Sequence, residues 1–119
     1  EKIASKYWPG ALTMVVPCSK KRNSILTSRD FTIGLRIPDS YMAQSLMKKT
    51  GPLLTSSANI SGFKGSVTAE EIALDFPSVD ILGPVPWCKS SGKASTIILW
   101  EKSRNWKLIR DGEVLIKGL

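Results

Sequence analysis

Residues 51 to 62 read Gly51-Pro52-Leu53-Leu54-Thr55-Ser56-Ser57-Ala58-Asn59-Ile60-Ser61-Gly62. Gly51-Pro52 is a strong breaker. Leu53 and Leu54 form a short apolar run that can enter a core as a strand, and five small polar residues (Thr55, Ser56, Ser57, Asn59, Ser61) follow within seven positions. Hydroxyls and a carboxamide crowded at a strand end offer many donors and acceptors with little bulk. Ligands of open α/β sheets bind outside the carboxyl ends of strands. Small residues also let a ligand approach backbone N–H groups that can form an anion nest. An ordinary serine-rich turn is the simpler reading on composition alone, so the neighbouring segments must decide.

Residues 1 to 7 look like the end of a helix, stopped by Pro9-Gly10. Leu12 to Val16 is a β-favouring run closed by Pro17, and residues 18 to 30 are polar and basic, as in a loop. Phe31 to Ile37 alternates, with Phe31, Ile33, Leu35 and Ile37 against Thr32, Gly34 and Arg36. Period two predicts a strand with Thr32 and Arg36 on one face and open space at Gly34 between them. Asp39 or Ser40 can cap a helix from about Tyr41 to Lys49, ended by Gly51. Thr68-Ala69-Glu70-Glu71 is a capping box opening a helix to about Phe76. Val79 to Leu82 reads as a short apolar strand, residues 83 to 92 as a loop, and Ser95 to Trp100 with Trp106 to Arg110 as a final strand pair. The resulting β-β-α-β-α-β-β-β order predicts a mixed, twisted α/β sheet with flanking helices.

The chain has 119 residues, enough for one domain or part of one, and its 42% hydrophobic content excludes a disordered chain. It opens on Glu1 rather than Met, so it is expected to be a piece of a longer chain. No apolar run has the length of a membrane span, and no signal-peptide pattern opens the sequence. A net charge of +7 favours polyanionic partners such as RNA or nucleotides. Cys18 and Cys88 lack metal-ligand spacing and read as reduced thiols of a cytoplasmic protein. The absence of histidine excludes Ser-His-Asp and Cys-His machinery and the usual zinc sites from these residues. Chemistry here must rest on Arg, Lys, hydroxyls, carboxylates and backbone.

Five segments carry spaced motifs: Lys6-Tyr7-Trp8-Pro9-Gly10-Ala11-Leu12-Thr13, Gly34-Leu35-Arg36-Ile37-Pro38-Asp39, Pro52 to Gly62, Ser95-Thr96-Ile97-Ile98 and Leu108-Ile109-Arg110-Asp111-Gly112. In this order they resemble the YrdC-like family, the threonylcarbamoyl-AMP synthases, whose signatures read (K/R)(F/Y)WPGPLT, G(V/L)R(V/I)P, TSAN.SG, STV(V/I) and R.G. Ala11 stands where the family usually has Pro, and residues 83 to 93 lack a clear version of its Asp-Gly-Gly turn. The resemblance covers the C-terminal portion of the YrdC-like α/β fold, residues 1–119, with the motif-bearing N-terminal part absent.

The resemblance implies an enzyme that joins L-threonine, bicarbonate and ATP into threonylcarbamoyl-AMP with release of pyrophosphate. A separate tRNA-modifying transferase then moves the threonylcarbamoyl group to a tRNA adenosine. ATP enters as substrate, with Mg2+ as an ion it could bring. By motif position, Arg36, Ser56 and Ser95 are implied to contact threonine, and Thr32, Ala58, Ser66 and Arg110 to face ATP; Asn59 is added to the ATP group from its place in the loop. Arginine forks suit a planar carboxylate and phosphates. Each residue also has a plain reading: a solvent-facing strand arginine at 36, a surface charge at 110, a loop serine at 66. Trp8, Trp87, Trp100 and Trp106 suit packing better than base stacking. Lys20-Lys21-Arg22 is most simply a solvated loop, with tRNA or double-stranded RNA as its alternative partner. A non-catalytic YrdC-like RNA-binding or ribosome-maturation module is therefore the rival reading, and an accessory nucleotide-binding domain of a larger carbamoyl-transferring enzyme is a third. The 119 residues alone are expected to be inactive and to self-associate.

Overall fold

Leu12–Pro17 (β1) is the strand on which the sheet is assembled. In the computed structural model, which describes residues 2–19, 31–62, 65–66, 68–87 and 91–118, it lies between two partners. Thr32–Leu35 (β2) pairs with it antiparallel, and Thr96–Trp100 (β3) pairs with it parallel. Trp106–Arg110 (β4) completes a four-stranded mixed sheet of order β2-β1-β3-β4. The predicted loop cluster Lys20, Lys21 and Arg22 falls outside the described residues, as does Cys88, while Cys18 is a free thiol.

The chain divides into two compact units, Glu1–Leu54 with Lys93–Leu119, and Thr55–Gly92. In the first, alternation decides which face is filled. Leu12 and Met14 of β1 and Ile98 of β3 are buried and form the core. Their register partners agree, since Leu12 pairs with Thr96 and Met14 with Ile98. Ile3, Ala4 and Tyr7 of the helix Lys2–Tyr7 (α1) pack on this face together with Trp8, Trp106 and Ile116. Trp8, Trp100 and Trp106 are packing residues, as expected: Trp100 and Trp106 meet edge-on at 5.0 Å, and the Trp8 indole N–H donates to the Leu12 carbonyl at 2.7 Å. Tyr41–Thr50 (α2) is capped by Ser40, whose Oγ accepts from the Ala43 amide, and it ends at Gly51 with φ +81°.

The chain after β4 folds back onto the start of β3. Buried Thr96 donates its hydroxyl to the Val114 carbonyl (2.7 Å) and accepts from the Val114 amide (3.1 Å). Gly112 lies directly against this crossing, and a Cβ there would collide with main-chain atoms of residues 94 to 96. Backbone cannot swing aside as a long side chain can. Gly112→Ala is therefore expected to destabilise the fold by about 1–3 kcal/mol, the usual range for overpacking, measured as a lowered denaturant midpoint with unchanged slope.

In the second unit, Ala69–Asp75 (α3) starts at Thr68 with the predicted capping box: the Glu71 amide donates to Thr68 Oγ1 (3.1 Å), and the Thr68 amide to Glu71 Oε2 (3.3 Å). Two predicted strands do not form, one at the end of the first unit's Glu1–Leu54 segment and one in the second unit. Leu53 and Leu54 are 46% and 69% exposed and carry no ladder pairing. Val79 and Leu82 are likewise exposed, in a turn segment. Runs of two to four apolar residues bounded by prolines are too short for their period to be read. The observed order is α-β-β-α-α-β-β, still a mixed α/β sheet with helices.

Candidate functional site

The sheet face opposite the core carries Thr13 and Thr32 alongside Val15, Ile97 and Leu99. Thr13 and Val15 alternate with the buried positions of β1, and Thr32 and Gly34 face the same way because Pro17 pairs with Thr32 and Val15 with Gly34. Arg36 lies one residue beyond β2, whose ladder with β1 ends at Met14 and Leu35; alternation continued from Thr32 and Gly34 brings it level with Thr13. On the other side of β1, Thr13 pairs with Ile97, and Ile97 with Arg110. A paired cross-strand row therefore runs Thr13, Ile97, Arg110, and Arg36 extends it by that alternation to Arg36, Thr13, Ile97, Arg110. At roughly 4.8 Å between strands, its two arginine backbones stand about 14 Å apart, within reach of two long side chains converging on a small ligand.

Arg110 owes its place to an irregularity. Ile98 pairs with Leu108, so unbroken alternation would put Ile109 opposite Ile97 and turn Arg110 to the core face. The register shifts between Ile97 and Ile98, and Arg110 takes the position instead. A β-bulge of this kind re-aims a side chain. Arg110 then donates from Nε to the Ser95 carbonyl (2.9 Å) and from Nη2 to Ser95 Oγ (3.0 Å). Arg36 is held the same way, Nε donating to the Gly10 carbonyl at 3.0 Å. Gly10 is itself fixed by its amide N–H, which donates to Ile37 O (2.8 Å), and a Cβ there would lie 2.5 Å from the Tyr7 carbonyl oxygen. Each guanidinium is thus oriented through Nε by a main-chain carbonyl. A fork so fixed can present its remaining N–H donors to a carboxylate or phosphate.

Between the arginines lies a pair of hydroxyls. Thr13 Oγ1 and Ser95 Oγ are 2.9 Å apart. Ser95 is only 8% exposed, while Thr13 is half-buried. Gly34 contributes no side chain over the flank of Thr13, although a Cβ there would make only ordinary contacts, 3.5 Å to Thr13 Cγ2 and 4.0 Å to Val15 Cγ2. Thr13 is the residue that reading the sequence missed. Its signal was present, a polar residue between the buried Leu12 and Met14.

Thr32 lies at the far end of the same face. There a shallow groove of about 880 Å³ is lined by Phe31, Thr32, Leu99, Trp100, Lys102 and Arg104 among others. Ser56, Ala58, Asn59 and Ser66 belong to the second unit. Ser56 and Ala58 are exposed, and the Asn59 side-chain amide donates to Ile60 O at 3.2 Å. Ser66 closes its loop: its amide donates to Ala58 O (3.0 Å) and its hydroxyl to Asp75 Oδ2 (2.6 Å). Among the described residues, no group of three or more His, Cys, Asp or Glu side chains converges as a metal site, and no helix is long and apolar enough to cross a membrane.

A family model grouping the Sua5, YciO and YrdC proteins, described as "Telomere recombination", matches residues 1–112. A Methanocaldococcus jannaschii protein, provisionally named a threonylcarbamoyl-AMP synthase, is 38% identical over 122 aligned positions, covering 100% of this chain and 55% of its own length. The Bacillus subtilis threonylcarbamoyl-AMP synthase is 36% identical over 75 residues, 61% of this chain and 22% of that protein. Among solved structures, Pyrococcus abyssi Sua5 complexed with L-threonine superposes with a TM-score of 0.75 at 30% identity, covering 93% of this chain and 33% of that one. The chain thus spans about half the length of its M. jannaschii relative.

Proposed function

The chain belongs to the Sua5–YciO–YrdC family, and from that premise we propose that it carries the threonine- and ATP-facing part of a threonylcarbamoyl-AMP synthase, as the C-terminal portion of the YrdC-like domain. The observation that carries this reading is the row in which two arginines, each anchored through Nε to a main-chain carbonyl, flank a hydroxyl pair. The reaction asks for that arrangement. The threonine amine adds to the bicarbonate carbon and water leaves; a carbamate oxygen then attacks the α-phosphorus of ATP and displaces pyrophosphate. No nucleophilic side chain is required, only fixed positive charge and positioning of three reactants.

In this reading Arg36 and Ser95 take L-threonine, Arg36 by its carboxylate, and Arg110, which donates to Ser95, takes the ATP phosphates. Thr32 in its groove serves the nucleotide. Ser56 is assigned to threonine, and Ala58, Asn59 and Ser66 to ATP, on the strength of the motif alone. Mg2+ would arrive with the ATP it accompanies, and the product would pass to a tRNA-modifying transferase in the cytoplasm. The net charge of +7 motivates the rival reading, direct binding of tRNA or double-stranded RNA without catalysis.

The test is pyrophosphate release by the full-length protein given ATP, L-threonine and bicarbonate, alongside a titration with structured RNA. Release that needs all three reactants is expected. Salt-sensitive RNA binding without any release would favour the rival.

A further inference from the structure

We propose that Thr13 binds the one-carbon reactant, bicarbonate, donating its hydroxyl to it between the two arginines; the inference rests on the synthase reading above. Proton bookkeeping leads there. Ser95 Oγ accepts from Arg110 Nη2 at 3.0 Å. Ser95 is only 8% exposed, so before substrate arrives its own O–H needs an acceptor close by. Either hydroxyl of the 2.9 Å Thr13–Ser95 pair can donate, and in the arrangement proposed Ser95 donates to Thr13 Oγ1. Having accepted the Ser95 proton, Thr13 has its own proton to give elsewhere, and it is half-buried on the open face, beside a glycine. The chain of donors starts on a cation and runs Arg110, Ser95, Thr13. Each link polarises the next, so the Thr13 hydroxyl is a stronger donor than an isolated threonine.

The position suits a small oxyanion. The bicarbonate carbon must be joined to the threonine nitrogen on one side and, through oxygen, to the α-phosphorus on the other. It therefore belongs between the arginine that holds the carboxylate and the one that holds the phosphates. Thr13 stands in that row, roughly one strand spacing (about 5 Å) from Arg36 and two (about 10 Å) from Arg110. A hydrogen bond to an anionic oxygen contributes more than a neutral one does.

The test titrates bicarbonate in CO2-depleted buffer, following pyrophosphate release by the full-length protein. Thr13→Val keeps the side-chain shape and removes the hydroxyl. It is expected to raise KM for bicarbonate about tenfold, the scale of one hydrogen bond to a charged group, with KM for L-threonine and ATP and the unfolding midpoint unchanged. Thr13→Ser is expected to restore the wild-type bicarbonate KM. If Thr13→Val does not fold, Thr13→Ala is read by the same criterion. An active wild type whose Thr13→Val variant shows no bicarbonate effect, or an equal rise in all three KM values, overturns this inference and leaves the synthase reading standing. A wild type that makes no product overturns both.

Discussion

Replacing Arg110 by alanine is expected to lower kcat/KM for ATP by about 10²–10³-fold, the loss typical of removing one preorganised donor from a site of charge development. Arg110 sits where it does only because a bulge turns it to the open face, and two bonds to Ser95 then fix its plane. Lysine keeps the charge but offers a point where the site has a fork, so Arg110→Lys should recover only part of the loss. Thermal or denaturant unfolding of both variants separates this effect from damage to the sheet. Arg110 is exposed, and its removal opens no cavity in the core. Steady-state kinetics of the two variants against ATP make the check, and wild-type values from Arg110→Ala would remove Arg110 from the nucleotide site.

Ile98→Ala is expected to cost about 2–5 kcal/mol, the range for deleting a fully buried branched side chain whose neighbours cannot collapse. Ile98 is 0% exposed, as is Leu12 beside it, and both sit on strands held from two sides. Among the described residues of the first unit, the buried core cluster is Leu12, Met14 and Ile98, with α1 and Trp8, Trp106 and Ile116 over them. A loss of that size is a large share of the roughly 5–15 kcal/mol by which domains are stable. Denaturant unfolding checks it, and a cost below 1 kcal/mol would mean that the face folds without Ile98 as its centre.

What could be read from the sequence was what local chemistry decides. The alternation of residues 31 to 37 needs only neighbouring residues to be seen, and it put Thr32 and Gly34 on one face, as the pairing with β1 does. The capping box at Thr68 is equally local, and it forms. The leucines at 53 and 54 and the run from Val79 to Leu82 were misread because an apolar pair has no period. The face of Arg110 could not be read at all. Plain alternation through β4 puts Arg110 with Leu108, and only the pairing with β3 reveals the shift. Motif resemblance named Arg110 without saying why it turns outward. Thr13 was visible by its period and was passed over as part of a strand.

The central claim is that ligand binds over the row from Arg36 to Arg110, and backbone amide NMR of the full-length protein titrated with L-threonine and then ATP tests it most directly. The expected result is saturable shifts clustered at Gly10, Thr13, Arg36, Ser95 and Arg110, the residues that frame the hydroxyl pair. Saturating ligand that moves none of these amides, or moves only those of the groove around Trp100 and Arg104 at the far end of the face, would contradict it.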